Sequence, residues 1–461
     1  MREGAKLNDV LFYIKSINDI VNSVVWGPPM LLFFLLVGIY FSIRLKFFQL
    51  FNFNLWIKNT LGSLLKPRNK NAAGSISPFQ ALTTALAGSI GTGNIVGVAT
   101  AITLGGPGAI FWMWIASFFS MMTIFAENIL GIRYRKKNRN GEWVGGPMYY
   151  IEQGLHQKWL AVFFAVACIL STFGMGNMTQ ANSIAQASKE IFNTEPRITA
   201  LITAAIVGCV IFGGVKRIAS VSEYVVPFMA IFYSVGGIIV IIFNIKFLPE
   251  VMKSIMSQAI NLSSVIGGTS GYIMMRAVKY GVSRGVFSNE AGLGSSPIIY
   301  SAAETDEATV QGMWGIFQVF FDTIVGCSIT ALCILCSGAN DGTKDGVELS
   351  IAAFYSVFGR YGSIFVGISI IMFALATLIG WSYYGEKSLE YLTGGAGMPI
   401  FKAVYIVVIL FGSVIDLRLV WDISDTFNGL MAIPNLAAIL YLSNEVVCET
   451  KSYLKRQKSS K

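Results

Sequence analysis

Residues 87–94 read AGSIGTGN and place three glycines, two hydroxyl side chains and one amide inside an apolar segment. A glycine inside a helix costs roughly 0.8–1.0 kcal/mol relative to alanine. Each backbone polar group left unpaired in hydrocarbon costs several kcal/mol more. A segment that accepts both penalties is predicted to interrupt its helix here, which would free amide hydrogens on one side and carbonyl oxygens on the other.

The predicted interruption carries two kinds of binding group. A half-helix that begins at residues 92–94 offers free N–H groups and the positive end of its dipole, and both suit a carboxylate. The unwound carbonyls of residues 88–90 suit a small hard cation or an ammonium group. One segment could therefore hold both ends of a zwitterion. The alternative is close packing, because small residues spaced as Gly93 and Gly97 also let helices approach in membranes.

Composition sets the class of protein that must position these groups. The chain has 461 residues, of which 54% are hydrophobic and 13% charged, while a soluble protein carries about twice that charged fraction. Apolar runs of about 17–25 residues, the length that crosses a bilayer, recur along the chain. We therefore expect an all-α, polytopic membrane protein whose partners are the lipid bilayer and a small substrate.

Eleven membrane spans, numbered 1 to 11, are predicted from the apolar runs. Their residues are 24–45, 79–103, 109–132, 160–186, 197–213, 221–245, 264–300, 308–336, 361–391, 401–416 and 420–443. Residues 1–22 have apolar positions at helical spacing among charged ones, which predicts an amphipathic helix on the membrane surface. Residues 23–46 form an extra span, and 444–461 a basic cytoplasmic tail.

The basic residues cluster in alternate loops. The clusters are Arg44 and Lys46 after span 1, residues 133–139 after span 3, Lys216 and Arg217 after span 5, and residues 451–461 in the tail. An odd number of spans puts all four clusters on one side, as the positive-inside rule requires. This predicts a multi-pass protein of the cell membrane with its N-terminus outside and its C-terminus in the cytoplasm. The same rule explains the net charge of +9, so no nucleic-acid partner is expected.

Span 7 contains the second interruption. Residues 271–297 read GYIMMRAVKYGVSRGVFSNEAGLGSSP, which is too long and too polar for one lipid-facing helix. Spans 2 and 7 lie five apart, so residues 79–245 and 246–443 would form two five-helix repeats of opposite orientation. Paired interruptions at corresponding positions of inverted repeats point to the central binding site of a secondary transporter.

Four sequence blocks carry a family resemblance. They read GTGNIVGVA at 91–99, GGPGAIFWMWIAS at 105–117, VFSNEAGLGSSP at 286–297 and GWSYYGEK at 380–387. Together they resemble the alanine or glycine:cation symporter family over residues 20–445. The resemblance implies a LeuT-like fold of ten core helices plus one, with broken helices. It also implies sodium-coupled uptake of alanine or glycine, with proton coupling in some members.

Sodium is the co-transported ion that this resemblance implies, and no organic cofactor is expected. Its expected ligands are backbone oxygens of Gly88, Ile90 and Phe373 together with the hydroxyl of Thr377. Oxygen-only ligation with few formal charges suits a hard monovalent ion. The resemblance implies a second hydroxyl next to Thr377, where this chain has Ala376. Thr377 could instead bond a carbonyl of its own helix.

The substrate site is expected to take residues from spans 2, 4 and 9. They are Ser89, Ile90, Thr92, Gly93, Asn94, Phe173, Asn177, Gln180 and Trp381. In span 4, Phe173, Asn177 and Gln180 follow i, i+4, i+7 spacing and should share one helix face. An amide there could hold the substrate ammonium group, or it could simply bond another helix. Trp381 would limit the substrate side chain to a methyl group or a hydrogen, unless it only packs.

Two acidic residues lie at membrane depth. An intramembrane carboxylate is a functional hypothesis by default, so Asp322 could be a proton site, or it could pair with a cation of span 7. Those cations are Arg276, Lys279 and Arg284. Glu290 is expected to cap the interruption of span 7 and to gate the inner vestibule.

The resulting expectation is a sodium-coupled symporter of small neutral amino acids that works by alternating access. Its substrates would be alanine, of either hand, and glycine. The alternative is a proton-coupled symporter that uses Asp322. An enzyme is not expected, because the spans hold no serine or cysteine paired with a histidine as a nucleophile and base.

Overall fold

The computed structural model describes residues 2–65, 76–260, 268–414 and 418–459. Most of them are helical. The first eleven helices are α1 (Arg2–Val25), α2 (Pro28–Arg44), α3 (Phe48–Phe51), α4 (Phe53–Asn59), α5 (Pro78–Ser89), α6 (Val96–Gly105), α7 (Gly108–Arg133), α8 (Pro147–Gly154), α9 (Lys158–Phe173), α10 (Thr179–Phe192) and α11 (Pro196–Ile211). The remaining eleven are α12 (Gly214–Phe243), α13 (Leu248–Ala259), α14 (Gly268–Asn289), α15 (Ser296–Tyr300), α16 (Ala308–Val319), α17 (Ser328–Cys336), α18 (Gly346–Phe358), α19 (Arg360–Thr393), α20 (Met398–Gly412), α21 (Arg418–Tyr441) and α22 (Ser443–Ser459).

Every predicted span coincides with a helix or with an interrupted helix. Among the described residues, six helices are long and apolar enough to cross a membrane. Two helix pairs bent at a short break pass the same test, and one of them is α5 with the segment Thr92–Gly105. Residues 264–267 of span 7 and 415–416 of span 10 lie outside the described residues. The total of eleven spans and the inverted repeats remain predictions.

The N-terminal segment runs directly into span 1. Helix α1 ends at Val25 and α2 begins at Pro28, with Pro at the first helical position where its missing N–H costs nothing. Asn22 donates to Thr426 Oγ1 over 3.1 Å, and Trp26 Nε1 donates to the carbonyl of Asp425 over 2.8 Å. The segment predicted to be an amphipathic surface helix therefore contacts the start of span 11.

Span 2 begins with a complete capping box. The Ser77 hydroxyl accepts from the N–H of Gln80, and the Gln80 side chain accepts from the N–H of Ser77, each over 3.0 Å. Pro78 occupies the first helical position. These groups satisfy the N-terminal donors of α5, so the position of the later interruption is set by the sequence at residues 88–94.

Spans 4 and 8 are each interrupted by a wider turn. The backbone forms π-helical turns over Gly174–Met178 and over Phe320–Cys327. Such turns insert one extra residue into the helix and occur often at functional sites. Span 3 packs against spans 1, 7 and 8, and two of these three, spans 7 and 8, are interrupted.

A short hairpin follows span 3. Strands β1 (Lys136–Lys137) and β2 (Trp143–Val144) pair antiparallel, and the hairpin leads into α8. On the same side of the molecule, the predicted tail forms α22, in which Glu445 lies 2.5 Å from Arg133 at the end of span 3.

Candidate functional site

The predicted interruption of span 2 is confirmed. Helix α5 stops at Ser89, residues 92–94 form a single tight turn, and α6 begins at Val96. The two halves are bent by 61°. The side chain of Asn94 stabilises the break, because its Oδ1 accepts from the N–H of Gly91 over 3.1 Å.

The break leaves backbone groups free on both sides. Among the described residues, no acceptor is bonded to the N–H of Thr92 or Gly93, and no donor to the carbonyls of residues 88–90. The Ser89 hydroxyl is likewise buried with no described partner. Unpaired buried polar groups are rare because each costs the desolvation of that group. Their concentration at one point fits a site that binds a polar ligand.

Span 9 packs directly on this break. A Cβ built on Gly91 would lie 2.6 Å from Thr377 Oγ1, and one built on Gly380 would lie 2.8 Å from the backbone nitrogen of Gly88. Glycine is therefore needed at both positions for close approach. By contrast, a Cβ on Gly97 would meet nothing within 4 Å, so the Gly93–Gly97 pair is not a packing motif.

The Thr377 hydroxyl bonds a carbonyl of its own helix, as the alternative interpretation predicts. Its Oγ1 donates to the carbonyl of Phe373 over 3.0 Å, one turn earlier in span 9. This bond uses the hydroxyl hydrogen, while the lone pairs of the same oxygen lie beside Gly91. Thr377 therefore adjoins the break of span 2, and its role as an ion ligand together with Gly88, Ile90 and Phe373 stays a prediction.

Phe173 and Asn177 of span 4 face span 10, whereas Gln180 faces the break, so the prediction of one face common to all three was wrong. Gln180 meets the break, since its Oε1 accepts from Thr92 Oγ1 over 3.4 Å. Asn177 Nδ2 instead donates to the carbonyl of Tyr405 over 2.8 Å. Phe173 packs at 5.4 Å, ring centroid to centroid, on Phe401 of span 10. The π turn over residues 174–178 rotates Gln180 relative to the other two.

Trp381 connects span 9 with the second break. Its indole Nε1 donates to Glu290 Oε1 over 2.9 Å, and the ring is fully buried. Glu290 Oε2 accepts from Ser295 Oγ over 2.6 Å, so this carboxylate connects the two ends of the interruption of span 7 through side chains. One turn further along span 7 the chain resumes as α15, after positive φ angles at Glu290, Gly292 and Gly294.

Asp322 is held by neutral partners. Its Oδ1 accepts from Asn94 Nδ2 over 3.0 Å, and its Oδ2 accepts from Ser288 Oγ and Thr323 Oγ1 over 2.8 Å each. The predicted alternative of an ion pair with span 7 is wrong. Its three cations lie over aromatic rings, Arg276 and Lys279 over Tyr280 and Arg284 over Phe287.

The Asn94 amide is thus already engaged on both sides. Its oxygen accepts from Gly91 and its nitrogen donates to Asp322. The sequence alone places this amide in the substrate site. In the structure it shapes the break and ties it to span 8.

The second break rests on three side chains to which the sequence assigned no role at this break. Glu127 Oε1 accepts from the N–H of Gly292 over 3.1 Å. Asn435 Nδ2 donates to the Gly292 carbonyl over 2.8 Å and also to Glu127 Oε1, and Tyr150 donates to Asn435 Oδ1. Tyr384, inside the quoted block at 380–387, was also missed. A Cβ on Gly88 would lie 3.1 Å from its hydroxyl, which is buried without a described partner.

The fold resembles that of known membrane transporters. A solved structure of the manganese transporter from Eremococcus coleocola matches with a TM-score of 0.54 and 13% identity, over 80% of this chain and 78% of that chain. Another structure of the same transporter gives 0.52. At this identity the match concerns the fold alone. Interrupted helices near the middle of such a fold are typical of secondary transporters.

Sequence comparison then identifies the family. The sodium:alanine symporter family matches residues 11–461. The sodium/alanine symporter AgcS of Methanococcus maripaludis is 45% identical, over 95% of this chain and 97% of that protein. The probable sodium/glutamine symporter GlnT of Bacillus subtilis is 39% identical, over 97% of this chain and 92% of that protein. The chain belongs to the sodium:alanine symporter family. It is accordingly a multi-pass membrane transporter, an amino-acid symporter rather than an enzyme.

Proposed function

We propose that the chain takes up alanine or glycine together with sodium by alternating access. The observation that carries this proposal is the break of span 2. Free N–H groups of Thr92 and Gly93 and free carbonyls of residues 88–90 lie within one bend, and Thr377 adjoins it. The N–H groups match the carboxylate of a zwitterionic substrate, and the oxygens match its ammonium group and the sodium ion.

In this proposal the substrate carboxylate binds the N–H groups at the start of the second half-helix. Gln180 receives the ammonium group, and Ser89 and Ile90 line the same turn. Sodium binds the oxygens of Gly88, Ile90, Phe373 and Thr377. Phe173 and Asn177 support span 10 instead of touching the ligand.

The size limit comes from Trp381, whose buried ring is fixed by its bond to Glu290. A fixed ring cannot move aside for a long side chain, so alanine and glycine are favoured over glutamine, the substrate in the name of one relative. Backbone contacts to the carboxylate and ammonium groups are the same for both hands of alanine. We therefore include D-alanine among the substrates.

Transport would follow from two inverted repeats, residues 79–245 and 246–443, that rock around the interruptions. The Trp381–Glu290 bond joins span 9 to the break of span 7, and both lie in the second repeat. In this scheme Glu290 serves as the gate of the inner vestibule, because it ties the break of span 7 to span 9 while the vestibule is closed.

The first test is radiolabelled alanine uptake into proteoliposomes under an inward sodium, potassium or proton gradient. We expect uptake with sodium alone. Thr377→Ala should raise the sodium concentration for half-maximal uptake roughly tenfold or more, because it removes one ligand of a charged group. Ser369→Ala is the matched control, since Ser369 makes the same bond to its own helix two turns earlier. Sodium dependence that is equal in both variants would refute the ion site.

Proton coupling through Asp322 is the second candidate. It is favoured by the position of this buried carboxylate, bonded to Asn94 at the break. Asp322→Asn keeps an oxygen acceptor but cannot take up and release a proton. If a proton gradient drives uptake and Asp322→Asn abolishes that response, the coupling ion is the proton. Sodium-driven uptake that survives Asp322→Asn rejects this candidate.

A further inference from the structure

A cavity of about 710 Å³ lies outside the transport site, on the side of the molecule that carries the hairpin. Its walls are the hairpin after span 3, the beginning of span 4 and the end of span 9. The charged side chains that line it are Lys136, Lys137, Arg139, Lys158, Glu152 and Glu390. Four cations thus face two acids, so the cavity has an excess of positive charge.

The two acids are satisfied by groups other than these four cations. Glu390 accepts from Lys387 Nζ over 2.7 Å and from Asn138 Nδ2 over 2.8 Å. Glu152 accepts from the hydroxyl of Tyr391 over 2.8 Å. Within the part of the chain that the structure describes, no acid forms an ion pair with any of the four lining cations. Their charge is available to a ligand.

The hairpin holds its cations in place. Lys136 pairs with Val144 and Lys137 with Trp143 in the two-stranded sheet. The Lys136 ammonium lies 5.0 Å from the centre of the Tyr149 ring, and the Lys137 ammonium lies 5.2 Å from that of Trp143. Cation–π contacts of this length orient a lysine without neutralising it. The cavity is therefore positive before any ligand arrives.

The cavity also borders an exposed, apolar face of span 4. Lys158 and Val162 line it, and the next residues on this surface are apolar and exposed. The exposed fractions are 68% for Trp159, 41% for Phe163, 43% for Val166 and 40% for Leu170. A tryptophan at this height marks the boundary between headgroups and acyl chains. A ligand in the cavity can therefore extend an apolar chain along span 4.

We propose that this cavity binds a phosphate-bearing anion, supplied by the headgroup of an anionic phospholipid. Lysine ammonium groups donate strong charge-assisted hydrogen bonds to phosphate oxygens, and basic pockets between transmembrane helices bind anionic headgroups. A bound headgroup would join the hairpin to the end of span 9, the helix that carries Thr377 and Trp381.

The experiment measures lipid binding to the full chain in a neutral detergent by native mass spectrometry. Dioleoylphosphatidylglycerol is titrated against dioleoylphosphatidylcholine. We expect retention of the anionic lipid and an apparent Kd about tenfold or more higher in Lys136→Gln/Lys158→Gln, because each lysine contributes electrostatic attraction. The control Lys189→Gln/Lys216→Gln removes the same charge from exposed positions elsewhere, and it should bind the lipid as the unmodified chain does. Melting temperatures in lipid-free detergent establish that all variants are folded.

A competition with inorganic phosphate distinguishes the two sources of the anion. If phosphate fails to displace the anionic lipid, the lipid headgroup is the ligand. If phosphate displaces the lipid and also binds alone, with binding lost in the cavity variant, the site stands with a soluble phosphate as its ligand. Equal loss of lipid in the cavity variant and in the control overturns the proposal. Equal retention of the two lipids together with no phosphate binding overturns it as well.

Discussion

Gly91 shows how one residue decides the geometry of the ion site. Its φ of −130° and ψ of −154° are extended, so any residue could adopt this backbone. The requirement comes from space, because a Cβ there would lie 2.6 Å from Thr377 Oγ1. The approach of span 9 to the break, and with it the position of the threonine oxygen, depends on the missing methyl group.

Gly91→Ala should therefore weaken the binding of sodium. The added methyl must push Thr377 away, and overpacking of this kind costs typically about 1–3 kcal/mol. We expect the sodium concentration for half-maximal alanine uptake to rise roughly fivefold or more. Sodium titration of uptake in proteoliposomes measures the change.

Gly97→Ala is the matched control in the same span, where the added Cβ meets nothing within 4 Å. It should leave the sodium dependence unchanged and add helix stability of up to about 1 kcal/mol. A Gly91→Ala protein with an unaltered sodium titration would show that the contact with Thr377 does not matter for the ion.

At the scale of elements, the sequence was sufficient to locate the interruptions of spans 2 and 7. Glycines and polar side chains in an apolar run carry that information locally. The π turns of spans 4 and 8 were not predictable, because a one-residue slip in hydrogen bonding leaves no mark on composition. For this reason the prediction that Phe173, Asn177 and Gln180 share one face was wrong, although Gln180 itself reaches the break.

The side chains that support the second break could not be predicted from the sequence either. Glu127 and Asn435 lie in spans 3 and 11, and nothing in either segment indicates that they meet at Gly292. Periodicity predicts which face of a helix is apolar, but it does not predict which distant helix a polar side chain will contact. Glu290 lies in the interrupted segment itself, so its bonding within that break could be predicted.

Glu127→Ala should destabilise the interruption of span 7. The Gly292 N–H and the Asn435 amide would lose their shared acceptor in a buried place, at a cost of about 1–3 kcal/mol for each unpaired group. We expect a clear fall in melting temperature in detergent. Glu127→Gln keeps an acceptor oxygen and should retain most of the stability. Similar melting temperatures for both variants and the unmodified chain would contradict the supporting role of Glu127.

At the scale of the whole molecule, the ends of several predicted spans meet on one face. Arg44 at the end of span 1 donates to Asn444 Oδ1 over 2.8 Å. Arg133 at the end of span 3 lies 2.5 Å from Glu445. Arg456 of the tail lies 2.7 Å from Glu307, which precedes span 8. Exposed contacts of this kind contribute only about 0–1 kcal/mol each to stability. They do show that three of the predicted junctions between spans lie on the same side of the molecule as the C-terminal helix.

That side is predicted to be cytoplasmic, and Cys448 of the tail can report it. Cys448 is exposed, whereas Cys168, Cys327, Cys333 and Cys336 are buried. In a Cys209→Ser background, a membrane-impermeant maleimide should label Cys448 in inside-out vesicles and spare it in right-side-out vesicles. Glu195→Cys, exposed in the loop after span 4, should show the opposite pattern. Labelling of both cysteines from the same side would refute the alternating path of the spans. A reversal of both patterns would keep the path and invert the protein, against the positive-inside rule.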